Sequence, residues 1–302
     1  MSIIQNNIYR RVTQITSNLI SADNLSNNLE KKSKKGLSNV NWYQVYIDHQ
    51  EKVSSLKESG GDNCTSWAVS PDGHMMTNHH CIDTLDVNKI YYLLIQNYDN
   101  QGNSRVIEYK IMGYSENWDL AILKPVPTEP LVTPRKYFEV IDPYTAENVS
   151  NGTEIALIGN PLGVDNNSIA TGIIRDVKYL LSSDEISEQL LKSVPGDGGS
   201  SGSPVINNEG KVVGIHSWGH GTPTYDTSNL DYDGPSQNLE YSTGGTNGYF
   251  INIFLNYYLN TSSPNIDFDS DKTYYNNIIV TRPWNIFEAD TYFHSTTIQG
   301  EL

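Results

Sequence analysis

The sequence predicts a mainly β protein with helical segments towards its two ends, and three observations lead there. From about Cys64 onward the apolar residues come in short runs. Turn-forming residues separate those runs, and a period near 3.6 appears only close to the two ends of the chain. Many short strands at regular spacing mean a sandwich or a barrel. The 302 residues suffice for two small β domains or one large one with appendages. A hydrophobic content of 37%, with 20 Tyr and 5 Trp, is enough to fill a core.

In chain order, Ile4, Ile8, Val12, Ile15 and Leu19 recur near a helical period. A second helical pattern runs through Trp42, Val45, Tyr46, Val53 and Leu56. Between them, Lys31, Lys32, Lys34, Lys35 and Gly36 read as a solvated linker. Trp67–Ser70 and Met75–Thr77 flank Pro71-Asp72-Gly73, where Pro fixes φ and Gly tolerates φ > 0, so a hairpin is expected. Lys89–Gln96 and Val106–Gly113 form the next pair around the Asp99–Gly102 turn. Leu120–Leu123, Glu154–Ile158, Ile169–Ile174, Pro204–Ile206 and Val212–Ile215 continue the strand series. Ile251, Phe254, Leu255, Tyr258 and Leu259 then give one apolar helical face. From Ser262 the aromatics are scattered without a period, which reads as a tail or arm.

A net charge of −15 argues against nucleic acid and anionic membrane surfaces as partners. No apolar run is long enough to span a bilayer, and Met1–Ser21 has Arg10 and Arg11 without the apolar stretch of a signal peptide. Cys64 and Cys81 are the only cysteines. Their spacing alone allows one disulfide, one partial metal site or two inert thiols.

Three segments carry chemistry. In Gly199-Ser200-Ser201-Gly202-Ser203-Pro204, small residues and glycines allow a tight turn that presents a serine hydroxyl and backbone N–H groups. In Met76-Thr77-Asn78-His79-His80-Cys81, a strand end delivers two histidines, the side chain suited to a general base near neutrality. In Trp118-Asp119-Leu120-Ala121-Ile122-Leu123, an acidic residue stands immediately before an apolar strand. A carboxylate drawn inward there needs a partner such as an imidazole N–H. The order His, Asp, Ser, with 39 and 82 residue steps between them, puts the first two on one β unit and the serine on another.

These three segments together resemble the chymotrypsin-like (trypsin-like) serine protease superfamily, over roughly residues 60–262. The resemblance implies two six-stranded antiparallel β-barrels meeting at a cleft, a C-terminal helix and a helical N-terminal extension. The implied organisation is an extension over 1–58, a protease domain over 59–262 divided near residue 140, and a tail over 263–302. It also implies a serine endopeptidase acting on protein or peptide substrates, with His80, Asp119 and Ser201 catalytic and the N–H groups of Gly199 and Ser201 forming the oxyanion hole. Neither cofactor nor metal is expected. A cluster of Cys64, His74, His79, His80 and Cys81 lacks the usual zinc spacings. In many trypsin-like enzymes a pair placed like Cys64 and Cys81 is disulfide-bonded, which suits an extracellular or virion-associated setting. The rival expectation is a catalytically silent binding or structural protein on the same fold, its cleft covered by the two extensions.

Within the superfamily, Leu157–Gly163, Val213-Gly214-Ile215-His216 and Asn247–Asn252 look most like glutamyl endopeptidases and, more distantly, bacterial stress proteases. Ser200 stands where digestive trypsins carry the aspartate of their activation switch. Pro195 stands where a pocket acid for Lys or Arg would be, with Asp197 in the adjoining loop. His216, followed by Ser217, Trp218 and Gly219, stands where the superfamily's pocket wall runs, and the resemblance implies cleavage after Glu or Gln. The glutamyl family's hydroxyl partner is replaced here by Gly196.

Overall fold

The structure is a computed structural model and describes residues 40–57, 63–99, 101–126, 135–144, 146, 149–161, 167–179, 189–220, 242–272 and 274. The helix expected over residues 4–19, the basic linker and the chain from 275 on lie outside these. The chain divides into two compact units, Met1–Asn41 and Trp42–Leu302, and every element named below belongs to the second.

Six strands close the first barrel, in the order β1-β2-β3-β6-β5-β4. They are β1 (Val53–Lys57), β2 (Asn63–Ala68), β3 (Met75–Thr77), β4 (Ile90–Ile95), β5 (Arg105–Ser115) and β6 (Leu120–Pro125). The hairpin expected around Pro71-Asp72-Gly73 is present: Trp67 pairs with Met76, and Gly73 sits at φ 84°. One expectation fails at the start of this barrel. The helix α1 covers only Trp42–His49, and a single 3-10 turn, Gln50–Lys52, ends it. Val53 and Leu56 then belong to β1, where Val53 pairs with Trp67 and Leu56 with Cys64. Residues three apart share one face of a helix but opposite faces of a strand, and here both faces are buried, Val53 towards the core between the barrels and Leu56 inside the first barrel.

The second half holds β7 (Glu154–Gly159), β8 (Ser168–Tyr179), β9 (Gln189–Lys192), β10 (Pro204–Ile206), β11 (Val212–Ile215), β12 (Trp218–His220) and β13 (Ser242–Gly244). They form a seven-stranded sheet, β11-β10-β7-β8-β9-β13-β12, where six strands are expected. The difference is one of interruption, since β11 and β12 are consecutive and part only at His216 and Ser217. The Ile215 N–H donates to the Thr246 carbonyl and the Ser217 N–H to that of Gly244. The sheet therefore curls until its two ends share hydrogen bonds, and β11 and β12 act as one broken strand.

The continuous apolar runs follow from burial on both faces. Along β6, Ala121 and Leu123 point into the first barrel, while Leu120 and Ile122 face a core between the barrels. Along β7, Ile155 and Leu157 fill the second barrel, while Ala156 and Ile158 face the same shared core. The helix α2 (Gly248–Asn260) closes that shared core with Phe250, Ile251, Phe254, Leu255, Tyr257 and Tyr258. Asn247 caps it, its side chain accepting the Tyr249 N–H at 3.1 Å. Each such fully buried side chain contributes roughly 1.5–3 kcal/mol, so the shared core is the main force docking one barrel on the other.

Residues 263–272 and 274 are not free of the domain, although the sequence reads as a tail from there. Phe268 is fully buried against Trp118, Phe254 and Tyr257. The Tyr114 N–H donates to the Ile266 carbonyl at 2.9 Å, extending the edge of β5. A single aromatic anchor in a polar segment has no period to betray it. Phe268→Ala is expected to lower stability by about 3–5 kcal/mol in urea denaturation, whereas an undocked segment gives a change below about 0.5 kcal/mol.

Candidate active site

Both sequence-selected side chains of the first barrel meet at one point. His80 lies in a 3-10 turn (His79–Cys81) directly after β3, and Asp119 sits just before β6. Because β3 and β6 are hydrogen-bonded neighbours, with Thr77 opposite Ala121, the two residues are neighbours too. His80 Nδ1 lies 2.9 and 3.0 Å from the two Asp119 carboxylate oxygens, and the His80 backbone N–H donates to Asp119 Oδ1 at 3.0 Å. The twin histidine turns elsewhere, with the His79 ring 5.3 Å from that of Tyr114. The carboxylate hydrogen bond raises the His80 pKa above its ordinary value, against an opposing effect of partial burial. A raised pKa stabilises the fold below the ordinary histidine range, and that contribution is lost as pH rises through the shifted value.

Asp119 is held in a left-handed conformation, φ 50°, which is uncommon outside glycine but open to aspartate. The preceding turn is fixed by the Trp118 N–H on Ser115 Oγ and the Asp119 N–H on the Glu116 carbonyl. Asp269, in the segment read as a tail, accepts from Ser115 Oγ at 2.8 Å and from the Asn117 N–H at 3.0 Å. Asn78 Nδ2 adds bonds to the Asp119 carbonyl and to Ser217 Oγ, both 2.8 Å. Beside His80, Cys64 and Cys81 form a disulfide that ties its turn to β2. Both sulfurs that with His80 make up a compact ligand-type cluster are thus in a covalent bond, and His74 instead faces Ser70.

The serine segment comes from the second half and is clasped by β2. The Thr65 N–H donates to the Ser201 carbonyl at 2.7 Å, and Thr65 Oγ1 donates to the Gly199 carbonyl at 2.8 Å while accepting the Asn160 N–H at 2.9 Å. Gly202 sits at φ 83°, and a Cβ there lies 2.1 Å from the Thr65 carbonyl oxygen and 2.5 Å from Thr77 Oγ1. Only glycine allows this approach, which brings the serine loop against the strand end that leads to His80. The N–H groups of Ser200, Gly202 and Ser203 donate to backbone carbonyls, whereas those of Gly199 and Ser201 have no acceptor among the described residues. Ser200 is buried, and its hydroxyl accepts the Asp197 N–H within the loop, so its role is local. Asp197 itself is exposed.

His216 is 4% exposed at the break between β11 and β12, and its N–H donates to the Ser203 carbonyl. Burial, then the charges of Lys192 and His80, push its pKa well below the ordinary histidine range, so the ring is neutral at pH 7. A Cβ at Gly196 lies 2.5 Å from His216 Nε2: the ring occupies the space a longer residue would need. Trp218 is partly buried, its indole N–H donating to Gln189, and Gly219 is exposed. Thr65, Asn78 and Asp269 are the site residues that sequence reasoning missed. Only Asn78, inside the histidine segment, carried any signal.

Two β-barrels with a carboxylate–imidazole pair on one and a glycine-cradled serine on the other define the architecture of a trypsin-like peptidase. The model of the family described as "Trypsin-like peptidase domain" matches residues 64–215, and the chain belongs to that family. It is 29% identical over 153 residues to the "Probable periplasmic serine endoprotease DegP-like" of Halomonas elongata, covering 51% of this chain and 28% of the relative. It is also 28% identical over 151 residues to "Serine protease HtrA-like" of Staphylococcus aureus, covering 47% of this chain and 18% of that protein. The chain thus spans less than a third of the length of these curated relatives. In fold it resembles the inactive form of Rv3671c from M. tuberculosis H37Rv, at a TM-score of 0.53 and 18% identity, over 73% of this chain and 93% of that one. A second likeness is to the HtrA-type protease AlgW with a tripeptide, at a TM-score of 0.52 and 16% identity, over 72% and 63% of the two chains.

The His80 imidazole is expected to titrate above the ordinary value of about 6.5, followed by NMR, and Asp119→Asn is expected to return the midpoint to or below it. Replacing both cysteines by serine is expected to cost about 3 kcal/mol in the chain-entropy estimate, read from non-reducing urea denaturation.

Proposed function

We propose that this protein is a serine endopeptidase in which Ser201 is the nucleophile, His80 the general base and Asp119 the carboxylate that orients the base. The observation that carries this reading is the His80–Asp119 pair, with both carboxylate oxygens within 3.0 Å of Nδ1. That contact keeps the proton on Nδ1 and leaves the Nε2 lone pair available for the serine hydroxyl. In acylation Ser201 Oγ attacks the scissile carbonyl and its proton passes to Nε2. The resulting imidazolium, stabilised by Asp119, then protonates the leaving amine. The tetrahedral oxyanion is received by the N–H groups of Gly199 and Ser201, whose lack of any other acceptor among the described residues supports this role. Water then cleaves the acyl-enzyme by the same proton relay run a second time.

The pocket for the side chain preceding the cut is assigned to His216, Ser217, Trp218 and Gly219, with Glu or Gln as its occupant. A neutral, buried imidazole is a hydrogen-bond donor or acceptor that an apolar side chain leaves unpaired. The absence of an acid at Pro195 and the exposure of Asp197 both argue against Lys or Arg. The protease domain is taken to include β1 and the docked segment around Phe268.

A fluorophosphonate probe is expected to label Ser201 in the folded protein and to leave Ser201→Ala unlabelled. Failure of the folded protein to label would instead favour a binding protein with a covered cleft. Asp119→Asn is expected to lower kcat by roughly 10⁴-fold, as the wrong tautomer does in this class of triad, with a peptide substrate as the readout. Because the base must be neutral to act, the acidic limb of kcat/KM is expected above pH 6.5, following the raised His80 pKa.

A further inference from the structure

Lys192 is fully buried, yet its Nζ has no hydrogen-bond partner among the described residues. It is the last residue of β9, on the same strand face as Leu190, and it lies opposite Ile174 in β8 and Thr243 in β13. Leu190, Ile174 and the following Val194 are all fully buried in the core of the second barrel. Packing alone gives no reason for an ammonium here, because a leucine or methionine fills such a space without the desolvation cost of an unpaired charge. The strand next to Lys192 is β13, and β13 pairs in turn with β12, which carries Trp218 and Gly219. Lys192 is also within electrostatic range of His216, whose own Nδ1 is buried without a partner. Two buried nitrogens without a partner among the described residues are thus in electrostatic reach of each other, one on His216 and one on a lysine two strands from Trp218 and Gly219.

We infer that Lys192 supplies the positive charge by which this pocket selects a glutamate side chain over glutamine, with His216 as its neutral companion. The inference rests on the specificity reading above and divides its two occupants. A neutral imidazole can bond to a carboxylate or to an amide and distinguishes them weakly. A desolvated ammonium favours only the anion, because interaction between unit charges grows as the dielectric falls. Burial lowers the Lys192 pKa to about 7, and an incoming carboxylate restores the charged form, so substrate and proton bind together. A basic side chain in the pocket meets like charge, and an apolar one leaves both nitrogens unpaired.

The test compares matched peptides that differ only in Glu or Gln before the cut, using the full chain near neutral pH. The wild type is expected to favour Glu in kcat/KM by about tenfold or more. In Lys192→Met the Glu-to-Gln ratio is expected to fall towards one, while Lys192→Arg keeps a preference for Glu. Comparable cleavage of both peptides by the wild type overturns the role of Lys192 and leaves the Glu-or-Gln reading standing. An unchanged ratio in a folded Lys192→Met does the same. Cleavage of neither peptide, with turnover after other residues, overturns both. If Lys192→Met does not fold, the wild-type ratio measured from about pH 6 to about pH 8.5 decides: a Glu preference that falls as Lys192 loses its proton supports the role, and a ratio that does not change with pH overturns it.

Discussion

Across the line where the two barrels meet, Thr65 holds the backbone on either side of Ser200. Its N–H bonds the Ser201 carbonyl, its hydroxyl bonds the Gly199 carbonyl, and the same oxygen receives the Asn160 N–H from the loop after β7. Each bond contributes only about 1 kcal/mol net, so this clasp does not dock the barrels. That work falls to the shared apolar core of β6, β7, β10, β11 and α2. The clasp sets register instead. It fixes the serine loop against the very strand that leads, by way of the disulfide at Cys64, to the turn of His80. Gly202 is the steric condition for this closeness, since any side chain there runs into Thr65 and Thr77.

On the other side of the cleft the same logic is carried by a carboxylate. Asp119 is held in a left-handed backbone conformation, which aspartate tolerates better than most side chains, by a turn whose donors are satisfied partly from a distant segment. Asp269 and Phe268 therefore couple the far end of the described chain to the orientation of one imidazole. The coupling is indirect: Phe268 anchors under Trp118, and Asp269 takes the Ser115 hydroxyl and the Asn117 N–H. Such support shells are what hold reacting groups to the tolerance that catalysis needs.

The strands bounded by Gly, Pro and Asp turns were legible in the sequence because turn chemistry is local. The hairpin at Pro71-Asp72-Gly73 and the runs that became β4 to β8 are examples. So was the apolar face of α2, which has a long regular period. Val53 and Leu56 were misread because β1 is buried on both faces, so apolar residues three apart, which on a helix would share one face, here enter two different cores. The four-residue β9 and the three-residue β12 and β13 are too short to show any period. At the candidate site, the order His80, Asp119, Ser201 was readable as a pattern along the chain, and the pairing of the first two is the part that the structure brings together. Thr65, Lys192 and Asp269 were not, since a threonine in a strand, a lysine and an aspartate look the same whether solvated or enclosed. Only the fold brings Thr65 to Gly199 or encloses Lys192 in the second barrel.

In the proposed mechanism Ser201 and His80 act as one unit, and coupling between substitutions at the two positions is the sharpest test of it. kcat is measured with one peptide substrate for Ser201→Ala, His80→Ala and the double variant, with folding checked in each. Residues that act together show losses far from additive, so the double variant should be no slower than the worse of the single ones. Losses that multiply would contradict the account and mean that the serine and the histidine contribute to turnover independently.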